Sequence, residues 1–329
     1  MQVTILTEAE IRQCVEMDQE AIAVVEEGFT RLADGEVTVP PIVCVDIPEH
    51  KGAVDIKTAH IRGLDSFAIK IASGFFDNYR LGLPTGSGMM VVVSAKTGFF
   101  EAVLLDNSYL THVRTGAAGA VVARHLARKK IETAGVIGSG MQACYQMRAL
   151  KQVRDFRQLM IYGIIPDQVE QYAAEMAPML GVEIVKAEDA ETVVRNSDVV
   201  VTTTPSQEPY VRAEWLHPGL HITAMGSDTG EKQELYADVL GRADLLVCDL
   251  KSQCFRLGEL HHGLEENIIS QDDEIIELGE LTSGRKPGRR SDEEITICDL
   301  TGVGVQDTAI ALLAYRKAME KGLGLQIQV

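Results

Sequence analysis

Gly138, Gly140 and Ala143 in VIGSGMQA stand at G-x-G-x-x-A spacing, with an apolar run before them and a helix-like stretch after. The chemistry that asks for this spacing is the holding of a pyrophosphate. A first glycine allows a tight turn, a second lets backbone approach phosphate, and a small third residue lets helix pack on strand while the helix N-terminus faces the anion. A tight strand-to-helix turn needs the same residues, but the motif's place at the head of a βαβ array favours a dinucleotide, and NAD is expected. At the end of the next strand the chain reads Tyr162-Gly163-Ile164-Ile165-Pro166-Asp167. It offers neither an acid for the ribose hydroxyls nor an arginine for a 2′-phosphate, so NADP stays open. Thr202, Thr203 and Thr204 close a later strand, and Gly302 to Gly304 precede the last helix. Both lie at carboxyl ends of strands, where a parallel sheet presents its ligand, and both also fit strand-end turn chemistry.

Periodicity supplies the framework for these residues. Thr7 and Glu10 form a capping box, and Ile11, Cys14, Val15, Ile22, Val25, Phe29 and Leu32 recur at helical spacing until Gly35, so the chain is expected to open with helix. Short β-rich runs follow to about residue 105 (PIVCVDI, AVDIKTAHI, FAIKIAS, GMMVVVSA, FFEAVLL) and predict an antiparallel or mixed sheet. In SYLTHVRTGAAGAVVARHLARKK, residues Gly116, Ala117, Gly119, Ala120 and Ala123 make a helix that another backbone can approach closely. TAGVI, QLMIY, VEIV, DVVVTTT, LHITAM and DLLVCDL then alternate with helical stretches, the pattern of a parallel sheet. The last stretch predicts a strand, a glycine loop and a long helix returning to the first domain, and TSGRKPGRRSDEE is the most loop-like segment. The expected fold class is α/β: a Rossmann-type doubly wound parallel sheet over 128–304, plus an α+β substrate-binding and dimerisation domain over 1–127 and about 305–329.

Composition narrows the partners. The 329 residues are 46% hydrophobic, enough for two domains with full cores. Lys and Arg total 31 against 48 Asp and Glu, and the net charge of −17 argues against nucleic acid or an anionic membrane surface. Cys14, Cys44, Cys144, Cys248, Cys254 and Cys298 are scattered and form no C-x-x-C pair, so they read as buried thiols rather than disulfides or zinc ligands. Neither a signal-peptide pattern nor a membrane-length apolar run occurs, and a cytoplasmic location is expected.

A series of motifs then points further. FAIKIASGF, LGLPTGSGMMVVVSAKTG, LTHVRTGAAGA, VIGSGMQA, MGSDTGEKQEL and TGVGVQDTA, in that order, resemble the ornithine cyclodeaminase/mu-crystallin family over nearly the whole length. PPIVCVDIPEHKGAVDIKTAH, SGFFDN, GELHH and PGRRSDEEITICDL are similar to the branch with ectoine-utilisation cyclodeaminase-like proteins and iminosuccinate reductases. The resemblance implies a homodimer with a shared β-structure and NAD(P)(H) chemistry on a small amino or imino acid. It assigns Lys70 and Arg114 to the substrate α-carboxylate, Thr85 to the pocket floor and Asp228 to acid-base work, with Lys70 and Asp228 catalytic. The implied cofactor set is Arg114, Thr115, Gly138, Gly140, Met141, Gln142, Thr202, Thr203, Thr204, Met225, Gly226, Ser227, Gly302 and Gly304. Without the family, Lys70 reads equally as an edge lysine, Arg114 as a partner of Asp106, and Asp228 as the cap of a helix near Gly230.

Departures from the family pattern bear on substrate. Pro41 is followed by Ile42 where many relatives carry Arg, and Lys57-Thr58 stands where many have Met-Pro. Lys57 is read as pairing with Asp55, two residues earlier on the same strand face, or as meeting a second substrate carboxylate. No metal is expected at His261 and His262, since adjacent histidines point apart and no nearby spacing completes a site. His112 lines the pocket or fills space, and Ser73, Gly74 and Asn78 form a substrate loop or a plain turn. The expected activity is NAD(H)-dependent reduction of a small imino acid, iminosuccinate to L-aspartate first. An ornithine-type cyclodeaminase and a non-catalytic crystallin-like ligand-binding protein are the alternatives.

Overall fold

The computed structural model describes residues 2–328, in two units. One takes the chain up to Thr115 and again from Val303, and the other is Gly116–Gly302. The first division falls inside a helix, ahead of residue 127, because a continuous helix carries no linker composition to mark it.

The chain opens with a strand, β1 (Gln2–Thr7), not with helix: QVTILT alternates with period two and buries Thr4 and Leu6. The capping box is present, Thr7 N donating to Glu10 Oε2 at 2.9 Å, and it starts the short α1 (Glu8–Arg12). Asp18 accepts from Ala21 N at 2.9 Å and starts α2 (Gln19–Ala33), so the single expected helix is two. The β-rich runs become β2 (Val37–Thr38), β3 (Val43–Ile47), β4 (Gly52–Ile61), β5 (Ser66–Phe75), β6 (Gly86–Ser94) and β7 (Phe100–Leu105), followed by α3 (Tyr109–Leu126).

In the second unit the alternation holds. It runs β8 (Thr133–Ile137), α4 (Met141–Val153), β9 (Gln158–Tyr162), α5 (Pro166–Leu180), β10 (Glu183–Lys186), α6 (Ala190–Asn196), β11 (Val199–Thr202), β12 (His221–Ala224) and β13 (Leu245–Cys248). Short helices α7 (Lys251–Cys254), α8 (Gly258–Glu265) and α9 (Leu278–Thr282) surround a two-residue β14 (Ile276–Glu277) before β15 (Thr296–Asp299). The chain then returns to the first unit as α10 (Gly304–Glu320) and an edge strand that the sequence does not announce, β16 (Leu325–Gln328).

Sheet order explains the burial. The first sheet runs β16-β1-β7-β6-β5-β4-β2 with β3 also on β4; β1 is parallel to β7 and the other pairs are antiparallel. Its register aligns Lys57, Lys70, Met90, Leu104 and Leu6 in one row across β4, β5, β6, β7 and β1, all buried on the face that carries α10. The next row, Ile69, Val91, Val103, Ile5 and Leu325, points to the opposite face and is only partly covered or exposed. The second sheet, β10-β9-β8-β11-β12-β15-β13-β14, is parallel throughout, and its strand order reverses between β8 and β11. That reversal is the switch point where such sheets bind ligands beyond their carboxyl ends.

Four of the six cysteines are buried as expected, whereas Cys144 is half-buried and Cys44, opposite Asp55 on β3, is exposed. The loop-like TSGRKPGRRSDEE is irregular, yet Arg289 ties it down by donating to the carbonyls of Leu126, Leu220 and Glu294. Among the described residues no helix is long and apolar enough to cross a membrane.

α10 lies so close to β4 that a Cβ on Gly304 would stand 2.2 Å from the Thr58 carbonyl oxygen. Gly304→Ala is therefore expected to destabilise the protein by about 1–3 kcal/mol, read from the urea midpoint. Gly74→Ala, with nothing within 4 Å of the added methyl, should change stability by roughly 0.5 kcal/mol or less.

Candidate active site

The first unit buries an ion cluster. Period two on β4 and β5 turns Lys57 and Lys70 to the same covered face, where they are direct cross-strand partners and 7% and 3% exposed. Arg114, in the second turn of α3, is buried as well. Asp307 in the first turn of α10 meets two of the three: its Oδ1 lies 3.2 Å from Lys70 Nζ and 2.9 Å from Arg114 Nε. The positive end of that helix dipole favours an acid there. Gln306 Oε1 accepts from Arg114 Nη1 at 3.2 Å and from Val303 N at 2.8 Å, so one side chain caps α10 and steadies the guanidinium. Sequence reasoning missed Gln306 and Asp307, although both stand in TGVGVQDTA; a buried Asp beside a pair of lysines can be recognised only once the strands are registered.

Electrostatics in this cluster are tense. Burial depresses the Lys70 ammonium to about 7, with Arg114 adding to the effect and Asp307 opposing it. Burial works to raise the Asp307 carboxyl, but Arg114, Lys70 and Lys57 together hold it below the ordinary range. Asp106 is not the partner of Arg114: it caps α3 through Leu110 N at 2.8 Å, and burial lifts it to about 6. His112 is pushed down to about 4 by burial and then Arg114, so its imidazole is neutral at neutral pH and no proton store. Among the described residues the buried charges of the unit are thus Lys57, Lys70 and Arg114 against Asp106 and Asp307. Lys70 is no edge lysine, since β5 is hydrogen-bonded on both sides.

Other expected residues lie apart. Thr85 is exposed in the turn before β6, its carbonyl accepting from Phe75 N at 2.7 Å. It is five residues from Met90, the strand neighbour of Lys70, or roughly 16 Å of extended chain. Asn78 Nδ2 donates to the Pro84 carbonyl at 2.9 Å, which makes 78–84 a closed turn.

The second unit carries the glycine motif. Gly138 sits at φ +109° and a Cβ there would stand 2.6 Å from Thr203 Oγ1, so only glycine fits. Gly140 is the N-cap of α4, has no side-chain cap, and has open space where its Cβ would be. The N–H groups opening α4 at Met141 and Gln142, beside that space, suit a pyrophosphate. Ser139, Gly140, Met141, Cys144, Gln168, Gln171, Tyr172 and Glu175 line a cleft of about 270 Å³ that contains an acid and no base, a poor setting for a 2′-phosphate. The small-residue stripe of α3 serves this helix too: a Cβ on Gly119 would strike Gln146 of α4.

At the neighbouring strand ends, Met225 N donates to the Thr202 carbonyl at 3.1 Å, and Gly226 is forced to be glycine because a Cβ there would stand 2.2 Å from the Thr204 carbonyl oxygen. Gly302, at φ +81°, donates its N–H to Asp249 Oδ2 at 2.7 Å. Ser227 is buried, while Asp228 is half-exposed and paired with Lys232 at 2.7 Å. No helix starts at Gly230, so capping does not account for Asp228. Lys232, also missed in the sequence, has its carbonyl held by Ser227 Oγ and by His262 Nε2, the latter at 2.8 Å. Glu265 joins His261 and His262 in a group whose ligand atoms lie within 4.8 Å, because one helical turn separates His261 from Glu265; spacing along α8 does therefore complete a trio.

A profile described as the ornithine cyclodeaminase/mu-crystallin family matches residues 1–322. Thermococcus litoralis Δ1-pyrroline-2-carboxylate reductase, solved with NADH and L-proline, is 30% identical with a TM-score of 0.94 over 98% of this chain and 100% of that one. An archaeal alanine dehydrogenase dimer with bound NAD is 36% identical with a TM-score of 0.92 over 100% and 99%. The iminosuccinate reductase of Paracoccus denitrificans, in complex with NAD⁺, is 29% identical with a TM-score of 0.91 over the whole of both chains.

The Lys70 shift has a measurable sign. Its folded pKa, about 7, lies below the unfolded 10.5, so between those values the unfolded chain holds a proton that the native one has lost. Stability is expected to rise with pH across that window, and Lys70→Met should flatten the rise in urea titrations at successive pH values. Binding of a carboxylate ligand near pH 7 should draw a proton onto Lys70, seen as buffer-dependent binding heat in calorimetry.

Proposed function

The chain belongs to the ornithine cyclodeaminase/mu-crystallin family, and on that premise we propose that it is an NAD(H)-dependent enzyme reducing a small imino acid to an amino acid, with iminosuccinate, which gives L-aspartate, as its substrate. The observation that carries the choice of substrate is the placing of Lys57 directly opposite Lys70 on a buried sheet face. Like charges so placed cost stability, and an anionic ligand relieves the cost. A monocarboxylate needs only Lys70 and Arg114; a dicarboxylate also uses Lys57. The cation of a diamino acid would meet a lysine there instead, which weighs against a cyclodeaminase.

In this reading Lys70 and Arg114 hold the α-carboxylate and Lys57 the second one. The carboxylate of Asp228, oriented by Lys232, serves the imine nitrogen, where an ionised acid favours the protonated iminium, the better electrophile. The first turn of α4, with Gly138 and Gly140, holds the pyrophosphate, while Thr202, Thr203, Thr204, Met225, Gly226 and Ser227 flank the nicotinamide half. Roles for Arg114, Thr115, Gly302 and Gly304 toward the cofactor rest on the resemblance alone. When bound, NADH supplies the hydride.

We also infer a homodimer. Ile69, Val91, Val103 and Ile5 form an apolar, only partly buried row on the sheet face opposite Lys57 and Lys70, and a second copy of the same surface is the occupant we infer for it. Light scattering should give about twice the 35.9 kDa chain mass, and Ile69→Asp with Val91→Asp should give the monomer.

The activity test offers NADH with oxaloacetate, pyruvate or glyoxylate plus ammonium, and NAD⁺ with ornithine, lysine or diaminobutyrate. Oxidation of NADH fastest with oxaloacetate and ammonium is expected; ammonia release from a diamine without absorbance change would overturn the proposal. Lys57→Ala should lower kcat/KM for the dicarboxylic imine about 10–100-fold, the worth of one charge-assisted contact, and spare the pyruvate-derived imine.

A further inference from the structure

Glu234 in the MGSDTGEKQEL segment carries no assignment from the sequence, yet it is fully buried in the second unit. Its two oxygens are saturated with donors. Oε1 accepts from Thr204 N at 2.6 Å, Thr204 Oγ1 at 2.7 Å and Tyr210 OH at 2.8 Å. Oε2 accepts from Thr202 Oγ1 at 2.6 Å and Gly226 N at 2.8 Å. One side chain therefore joins the turn after β11 to the turn after β12, and each oxygen receives one backbone N–H.

The carboxylate is itself fixed from behind. Glu259 accepts from Glu234 N at 2.8 Å and Leu235 N at 3.1 Å, and Asp299 at the end of β15 accepts from Leu260 N at 3.0 Å. Each acid of this series binds backbone at or beside the next, so the position of Glu234 is referred back to the sheet. Burial makes the series costly: it pushes the carboxyls of Glu234, Glu259 and Asp299 upward. A single strand-end turn does not call for three interior acids.

We propose that Glu234 is the positioning residue of the dinucleotide site, an interior carboxylate that fixes turns 202–204 and 225–227 against the nicotinamide half of the cofactor. The proposal rests on the cofactor reading above. The parallel order puts β11 and β12 on one side of the switch point and β9 and β10, the adenine side of such sheets, on the other. Glu234 therefore acts on nicotinamide binding and not on the adenine half.

Glu234→Gln tests this without changing volume. An amide has one acceptor oxygen, so its NH₂ must face a backbone N–H at Gly226 or Thr204; hydroxyls can turn round, but a backbone donor cannot. Wild-type and E234Q protein are titrated with NADH and separately with ADP-ribose, which lacks the nicotinamide. E234Q should bind NADH at least about tenfold more weakly and ADP-ribose within about twofold of wild type. Unchanged NADH affinity, or parallel loss of both ligands, overturns the proposal. If E234Q does not fold, Thr202→Val and Tyr210→Phe decide: each should weaken NADH about two- to fivefold and spare ADP-ribose, and unaltered NADH binding by both overturns it. Wild-type protein that binds no NADH refutes the cofactor reading itself, a separate result.

Discussion

Two ammonium groups on neighbouring strands face the same covered side of a sheet, and the first unit is organised around what makes that tolerable. Lys57 and Lys70 cannot turn to solvent, because the pleat fixes their direction and α10 covers the face. Removing two cations from water costs several kcal/mol each unless charge and hydrogen bonds offset it. Asp307 offsets part of this from the start of α10, the helix whose Gly304 lies against β4. Burial still depresses the Lys70 ammonium to about 7.

The second unit meets the opposite difficulty. It has to keep several peptide N–H groups at strand ends directed and dry, and it does so with buried carboxylates. Glu234 serves the turns after β11 and β12, and Asp249 serves Thr301 and Gly302 after β15, at 2.9 and 2.7 Å. The turn at Gly138 to Gln142 keeps the N-terminus of α4 without a side-chain cap. With open space beside Gly140, that helix start suits an anion.

Much of this could be read in the sequence, for physical reasons that differ by element. The parallel strands of the second unit are uninterrupted apolar runs between helical stretches, so TAGVI, QLMIY and DVVVTTT became β8, β9 and β11. Gly138 was legible because a positive φ beside Thr203 admits nothing else. β1 was not, since six residues of strand run straight into a strong capping box that draws the eye to helix. β16 is wholly exposed and has no periodic signal to give. Lys70 and Arg114 were found through family resemblance, but the residue that relates them, Asp307, looks in sequence like any acid in a helix's first turn. Glu234 was hidden for the same reason: a glutamate between Gln233 and Leu235 reads as surface until its partners, eight to thirty-two residues away, are placed.

The passage of the chain out of the first unit and back again has a temporal meaning. Thr308 of α10 binds backbone at Ala68 across 240 residues, and Asp307 beside it reaches Lys70 over a similar span. On the ribosome the lysine-bearing strands emerge long before the helix whose Asp307 pairs with Lys70, whereas every strand of the second unit is made in one uninterrupted stretch. Until α10 exists Lys70 lacks Asp307, and burying the lysine face of β4 and β5 costs more. The charge that α10 pairs in the finished protein thus disfavours early burial of that sheet face in the growing chain.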